Sequence, residues 1–167
     1  MDEQYFTAEV KARERSLYRI AISYMHSDAD AADADAADAV QDALLKAWEK
    51  RHTLRELAYF GTWLTRILIN VCKSHLRGRS RAVALADIPD AGVQDMAEHN
   101  LVLKEALDTL DLKYRIPLLL HYLDGYPIKE VAHIMRLPVG TVKSRLSRAR
   151  GLMQDRLNQE VFSDETK

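Results

Sequence analysis

"PIKEVAHIMRLPVGTVKSRLSRAR" (residues 127–150) holds two short amphipathic segments separated by Arg136-Leu137-Pro138. Ile128, Val131, Ala132 and Met135 recur at helical spacing in the first segment, and Val142, Leu146, Ala149, Met153 and Leu157 do so in the second. A connection this short predicts a helix-turn-helix or a plain helical hairpin. The other side of the second segment carries Lys143, Ser144, Ser147 and Arg148, with Arg145 and Arg150 on its flanks. Long cations and small hydroxyls on one exposed face suit a helix in the DNA major groove. Arg and Lys can reach guanine O6 and N7, Ser can bond either base edge, and the remaining cations can hold phosphates. Gly140 and Thr141 open this helix, so backbone N–H groups there can meet a phosphate. A solvated basic face on an ordinary hairpin is the competing reading.

Working back from this motif, Leu103, Ala106, Leu107 and Leu110 start a helical set, and residues 112–123 form the next helix. Pro117 sits inside that helix and is expected to kink it unless it falls in the first turn. Residues 81–98, "RAVALADIPDAGVQDMAE", lose the helical period and carry a Pro and a Gly, as a linker does. Upstream, three apolar stripes can share one core: Leu17, Ile20, Ala21, Tyr24 and Met25; Val40, Leu44, Ala47 and Trp48; and Phe60, Trp63, Leu64, Ile67, Leu68, Val71 and Cys72. Residues 51–58 form the loop between the second and third. The expectation is an all-α protein of two helical domains, 1–80 and 99–160, joined by the linker 81–98. The C-terminal domain is the helix-turn-helix, and 161–167 is a frayed tail.

Composition agrees with this. At 47% hydrophobic and 29% charged, the 167-residue chain can bury a core, and it has only six glycines and four prolines. The alternating β-branched runs of strands are missing. One cysteine, Cys72, excludes a disulfide framework or thiolate metal cluster and points to a reducing cytoplasm. The start, MDEQYFTAEVKARE, lacks the basic and apolar regions of a signal peptide. No apolar run approaches the roughly 20 residues of a membrane span, so no membrane insertion is expected.

Charge is distributed in blocks. Residues 28–49 hold seven acids and one lysine; residues 57–86 hold five Lys/Arg and no acid; residues 128–156 hold seven Lys/Arg and two acids. On the third helix Arg66, Asn70, Lys73 and Arg77 line one face opposite the apolar stripe, and Arg79 and Arg81 extend it. Tyr59, Phe60 and Trp63 lie beside it. Cations for a backbone and rings for stacking are what unpaired bases need. Phe60 and Trp63 also belong to the apolar stripe, where such rings are ordinarily core.

The segments "EVAHIM" and "GTVKSRLSRAR", with "DAVQDALLKAWE" and "FGTWLTRILINVCKSHLR", resemble the extracytoplasmic-function sigma factors of the sigma-70 family, in the same order over about residues 10–157. The resemblance implies an RNA polymerase sigma factor, not an enzyme and without a cofactor. Its partners would be the clamp and flap of core RNA polymerase, promoter DNA as duplex and as single strand, and an anti-sigma factor. Asp38, Gln41, Asp42 and Leu45 match the clamp-binding face. Asn70, Lys73 and Arg77 match the −10 helix, and the 51–62 loop matches the pocket for a flipped base. Lys143, Ser144, Ser147 and Arg148 match the −35 readers, with Thr141, Arg145 and Arg150 nearby and Arg115 and Lys129 as further phosphate contacts. The linker resembles the segment that threads towards the polymerase active centre. Pro127 replaces a usual Ser or Thr helix cap, and Gly61 replaces a bulkier residue beside the base pocket.

A helix-turn-helix regulator acting without polymerase would explain 127–150 but leave the acidic face and the 66–77 face idle. A Ca²⁺ loop fails: counted from Asp28, the sixth and twelfth positions are Asp33 and Ala39, where Gly and Glu are needed. The histidines form no ligand spacing, so no metal site is expected. The pentapeptide ADAAD occurs twice, at 29–33 and 34–38, where the family pattern has one copy. Five residues advance a helix by about 500°, so an extra copy is tolerable only at a helix start or in the preceding loop. Val40, Leu44 and Trp48 are then expected to keep their packing.

Overall fold

The computed structural model describes residues 1–25, 29–83 and 101–164, which form helices α1 (Glu3–Tyr24), α2 (Ala29–Glu49), α3 (Phe60–Val83), α4 (Leu101–Asp108), α5 (Leu112–Leu118), α6 (Ile128–Met135) and α7 (Val139–Asp164). They fall into two compact units, α1–α3 and α4–α7, the last three residues of α6, His133–Met135, being grouped with the first.

In the first unit α1, α2 and α3 pack pairwise. Asp2 caps α1, its carboxylate accepting the Tyr5 N–H at 2.8 Å, a bond of the kind that contributes about 1 kcal/mol. Leu17, Ile20, Ala21, Tyr24 and Met25 are buried as expected. On α2 the inward stripe differs from the expected one. Ala32, Ala36, Ala39, Ala43 and Ala47 are buried, whereas Val40, Leu44 and Trp48 are half-buried on its edge. The spacing of four, three, four and four residues is one helical face, and a face of methyl groups lets neighbouring backbones come close. Both pentapeptide copies lie within α2. On α3 the core stripe is Phe60, Leu64, Leu68, Ile69 and Cys72; Trp63 and Ile67 are half-buried, so the face is turned slightly from the expected one. Helix α3 continues to Val83, three residues beyond the expected domain end. Most of the expected linker, from residue 84 on, lies outside the described residues.

In the second unit α7 packs against α4 and α5. Pro117 does not fall in the first turn of α5, and the helix does change there. After Leu118 the chain widens into a π-helical turn, Leu119–Leu123, which closes with Asp124 N–H donating to the Leu119 carbonyl at 3.0 Å. Pro117 lacks the N–H that would bond the Lys113 carbonyl, so one bond of α5 is missing in the turn that precedes this widening. Gly125, at φ 74°, then turns the chain towards α6. Pro127 stands just before α6 rather than within its first turn; its carbonyl accepts from Glu130 and Val131 N–H at 2.9 and 3.0 Å.

The α6–α7 connection is a Schellman turn. Arg136 adopts φ 55°, and Leu137 N–H reaches back to the Ala132 carbonyl at 3.0 Å. A left-handed non-glycine residue costs about 1–2 kcal/mol, which the closed turn and the buried Val131, Ala132, Ile134 and Val142 offset. Helix α7 runs to Asp164, so the expected frayed tail is helical except for residues 165–167, which lie outside the described residues. No helix among the described residues is long and apolar enough to cross a membrane.

Candidate nucleic-acid interface

On α7 the packing leaves one face free. Val142, Leu146, Ala149 and Met153 are buried, so Lys143, Ser144, Ser147 and Arg148 point outward and are exposed. Ser144 donates to the Gly140 and Thr141 carbonyls at 2.9 and 3.2 Å, which fixes its rotamer and leaves its oxygen to accept. Thr141 and Arg145 are half-buried at the margins. Lys129 is exposed on α6. Arg150 is exposed too, and donates to the Tyr122 hydroxyl at 2.6 Å, a partner on the π-helical turn that periodicity could not reveal. The N–H of Val142 is taken by the Pro138 carbonyl at 3.1 Å, so the free amides at this helix start are those of Val139, Gly140 and Thr141.

Arg115 is not a phosphate contact. It is 4% exposed and donates to the Asp108 and Leu110 carbonyls at 3.0 and 2.7 Å, tying the end of α4 to α5. Burial lowers its pKa, and the carboxylates of Asp108 and Asp111 oppose that shift. The physical reason is sequence-local: a helix that ends and restarts within a few residues leaves carbonyls that a guanidinium can collect.

On α3 the outward face runs through Trp63, Arg66, Asn70, Lys73 and Arg77, a stripe about 21 Å long. Asn70, Lys73 and Arg77 are exposed, Trp63 and Arg66 half-exposed. Arg79 does not extend this face, because it turns to α2 and pairs with Asp35 at 2.6 Å. The side chain of Arg81 lies outside the described residues. Phe60 is fully buried and offers no stacking surface; its ring meets Tyr5, Phe6 and Trp63 at centroid distances of 6.0, 5.7 and 5.8 Å. Gly61 is likewise buried. Tyr59 is instead the open ring, 50% exposed on a single 3₁₀ turn, Leu57–Tyr59. Leu57 beside it is exposed as well, a residue not singled out by the sequence. A second 3₁₀ turn, Arg51–Thr53, precedes it, with the Arg51 guanidinium 4.2 Å from the Trp48 ring centroid.

On α2 the positions Asp38, Gln41, Asp42 and Leu45 share one face. Asp38 and Gln41 are exposed, and Leu45 is 59% exposed. Asp42 is half-exposed and accepts from His75 Nε2 on α3 at 2.8 Å. The upstream aspartates have internal partners: Tyr18 donates to Asp33 at 2.9 Å, and Asp35 holds Arg79. Among the described residues no cluster of His, Cys, Asp and Glu is arranged to hold a metal ion.

Comparisons with known proteins follow these two units. Residues 10–82 match the family "Sigma-70 region 2", and residues 100–153 match "Sigma-70, region 4". The chain is 31% identical over 141 aligned positions to the ECF RNA polymerase sigma-E factor of Haemophilus influenzae, covering 74% of this chain and 75% of that protein. It is 28% identical over 170 positions to the sigma-E factor of Escherichia coli K12, covering 88% and 89%. Among solved structures it is similar to the sigma factor RpoE of Bartonella quintana, crystallised with the anti-sigma factor NepR. That match has a TM-score of 0.80 and 30% identity, covering 92% of this chain and 96% of that one.

Proposed function

The chain belongs to the extracytoplasmic-function sigma factors of the sigma-70 family, and from that premise we propose that it directs core RNA polymerase to particular promoters. In this reading α7 reads the −35 element as duplex through Lys143, Ser144, Ser147 and Arg148, while Lys129, Arg145, Arg150 and the first amides of α7 meet phosphates. The α3 stripe from Trp63 to Arg77, with Tyr59, captures the opened −10 strand. Asp38, Gln41, Asp42 and Leu45 dock on the polymerase clamp. The polymerase performs the chemistry; this chain contributes binding free energy. Taking one base out of the stack costs a few kcal/mol, least where the duplex is already opening, and contacts around Tyr59 offset it.

The observation that carries this reading is the outward face of α2 as a whole, where Asp38 and Gln41 are exposed beside Leu45, itself 59% exposed. Anionic DNA gains nothing from such a surface, whereas a protein partner bearing cations would cover it. This favours a polymerase-bound factor over a regulator that binds DNA alone. By extension from the Bartonella quintana structure, we include an anti-sigma factor among the partners.

Run-off transcription with core polymerase on a pool of promoters tests the proposal. A defined subset of transcripts should appear only when this chain is added, and the chain should co-purify with core polymerase. DNA binding without co-purification would instead support the free regulator.

A further inference from the structure

The connection between α2 and α3 is made of two isolated 3₁₀ turns, with few backbone bonds of its own. Its second turn, which carries the exposed Leu57 and Tyr59, is braced from outside the connection. The brace lies in the first turns of α1, outside the stretch that matches sigma region 2. The ring of Phe6 meets Trp48, in the last turn of α2, at 5.2 Å, and Phe60, the first residue of α3, at 5.7 Å, both edge-on. One side chain thus holds both feet of the connection. The neighbouring Tyr5 places its ring 6.0 Å from Phe60 and its hydroxyl 3.4 Å from the Leu57 carbonyl, inside the connection itself. From the same helix, Arg13 lies 5.6 Å over the Phe60 ring and is held there by Glu9 at 2.6 Å. Each edge-to-face pair contributes beyond its buried area; two of them, with Tyr5 and Phe6, share Phe60, and Trp63 meets the same ring at a tilt of 51°.

We propose that Phe6 and Tyr5 are positioning residues for −10 selection, setting the placement of Tyr59 and Leu57 without touching DNA themselves. This inference rests on the proposed reading of Tyr59 as part of the −10 site. A loop of single turns samples many arrangements unless its ends are fixed, and a binding surface discriminates only as well as it is held. The exposed Tyr59 and the buried Phe60 are adjacent in sequence, so any shift of the Phe60 backbone carries Tyr59 with it.

The test uses the full chain with core polymerase and a DNA library randomised at both promoter elements; transcripts report which sequences are chosen. Phe6→Leu keeps bulk and fold while losing both edge-on ring contacts, and Tyr5→Phe removes only the hydroxyl. Phe6→Leu should flatten −10 preference by about fivefold and Tyr5→Phe by about twofold, with −35 preference and core-polymerase affinity unchanged. Tyr59→Ala runs alongside. If Tyr59→Ala flattens −10 preference while Phe6→Leu and Tyr5→Phe only lower total yield, the two residues are merely structural and the inference is overturned. If Tyr59→Ala leaves −10 preference intact, the reading of the connection is wrong and the inference goes with it.

Discussion

His75 Nε2 on α3 lies 2.8 Å from a carboxylate oxygen of Asp42 on α2, so one residue of the proposed clamp face is also a tie between helices. The pair is partly solvent-exposed, and such pairs contribute about 0–1 kcal/mol. His75→Ala should therefore lower stability by about 0.5 kcal/mol and leave core-polymerase affinity within about threefold. Asp42→Ala should weaken polymerase binding well beyond that. Equal losses in a binding titration would show that Asp42 acts only by bracing α3.

Leu45 makes a cleaner probe of the same face. It is exposed, so Leu45→Ala should shift the urea midpoint little while lowering affinity for core polymerase by about 1–3 kcal/mol. An unchanged affinity would remove the strongest support for docking through α2.

Arg148 and Arg115 should respond in opposite ways. Arg148→Ala should reduce promoter discrimination by about 1–3 kcal/mol without affecting stability, provided that it reads a base; equal losses on promoter and scrambled DNA would mark it as a phosphate contact. Arg115→Met should destabilise the fold by about 1–3 kcal/mol, because buried carbonyls lose their donor, while the folded fraction binds DNA normally.

The turn between α6 and α7 stores strain at one position. Arg136→Gly relieves the left-handed backbone and should raise stability by about 0.5–1 kcal/mol, glycine's greater freedom in the unfolded chain cancelling part of the gain. Chemical denaturation measures it, and a loss of stability would mean that the side chain of Arg136 contributes more than its backbone costs.

Burial pushes the Cys72 thiol up to about 12 from 9.0. In the unfolded chain the thiol ionises from about pH 9, while the fold keeps its proton, so stability is intact below pH 9 and falls as pH rises towards 12. The loss from this one group grows steadily across that window. The urea midpoint should fall between pH 8 and pH 10 in the native chain and fall less in Cys72→Ala. Thiol reagents should label Cys72 only on unfolding.

Much of this architecture could be read from periodicity. The all-α class, the short turn of the C-terminal motif and the outward faces of α3 and α7 follow from apolar spacing, which registers a burial pattern directly. The alanine stripe of α2 escaped because alanine carries little hydrophobic weight, and the larger Val40 and Trp48 drew the face towards themselves. Arg115 was misassigned because a cation looks the same in sequence whether it meets phosphate or a helix's last carbonyls. The Tyr122–Arg150 and Asp42–His75 pairs join residues 28 and 33 positions apart, beyond any local pattern.

The repeated pentapeptide has a consequence for how this protein can change. Its two copies are identical in sequence, yet the fourth residue is buried in one (Ala32) and exposed in the other (Ala37). The fifth residue holds Tyr18 in one (Asp33) and faces solvent in the other (Asp38). Because five residues do not close a whole number of helical turns, the copies had different duties from the moment both were helical. No substitution was needed to make them distinct. Later drift should then be lopsided: Ala34 and Ala37 are free to vary, while Ala32 and Ala36 are held small by the helices they touch.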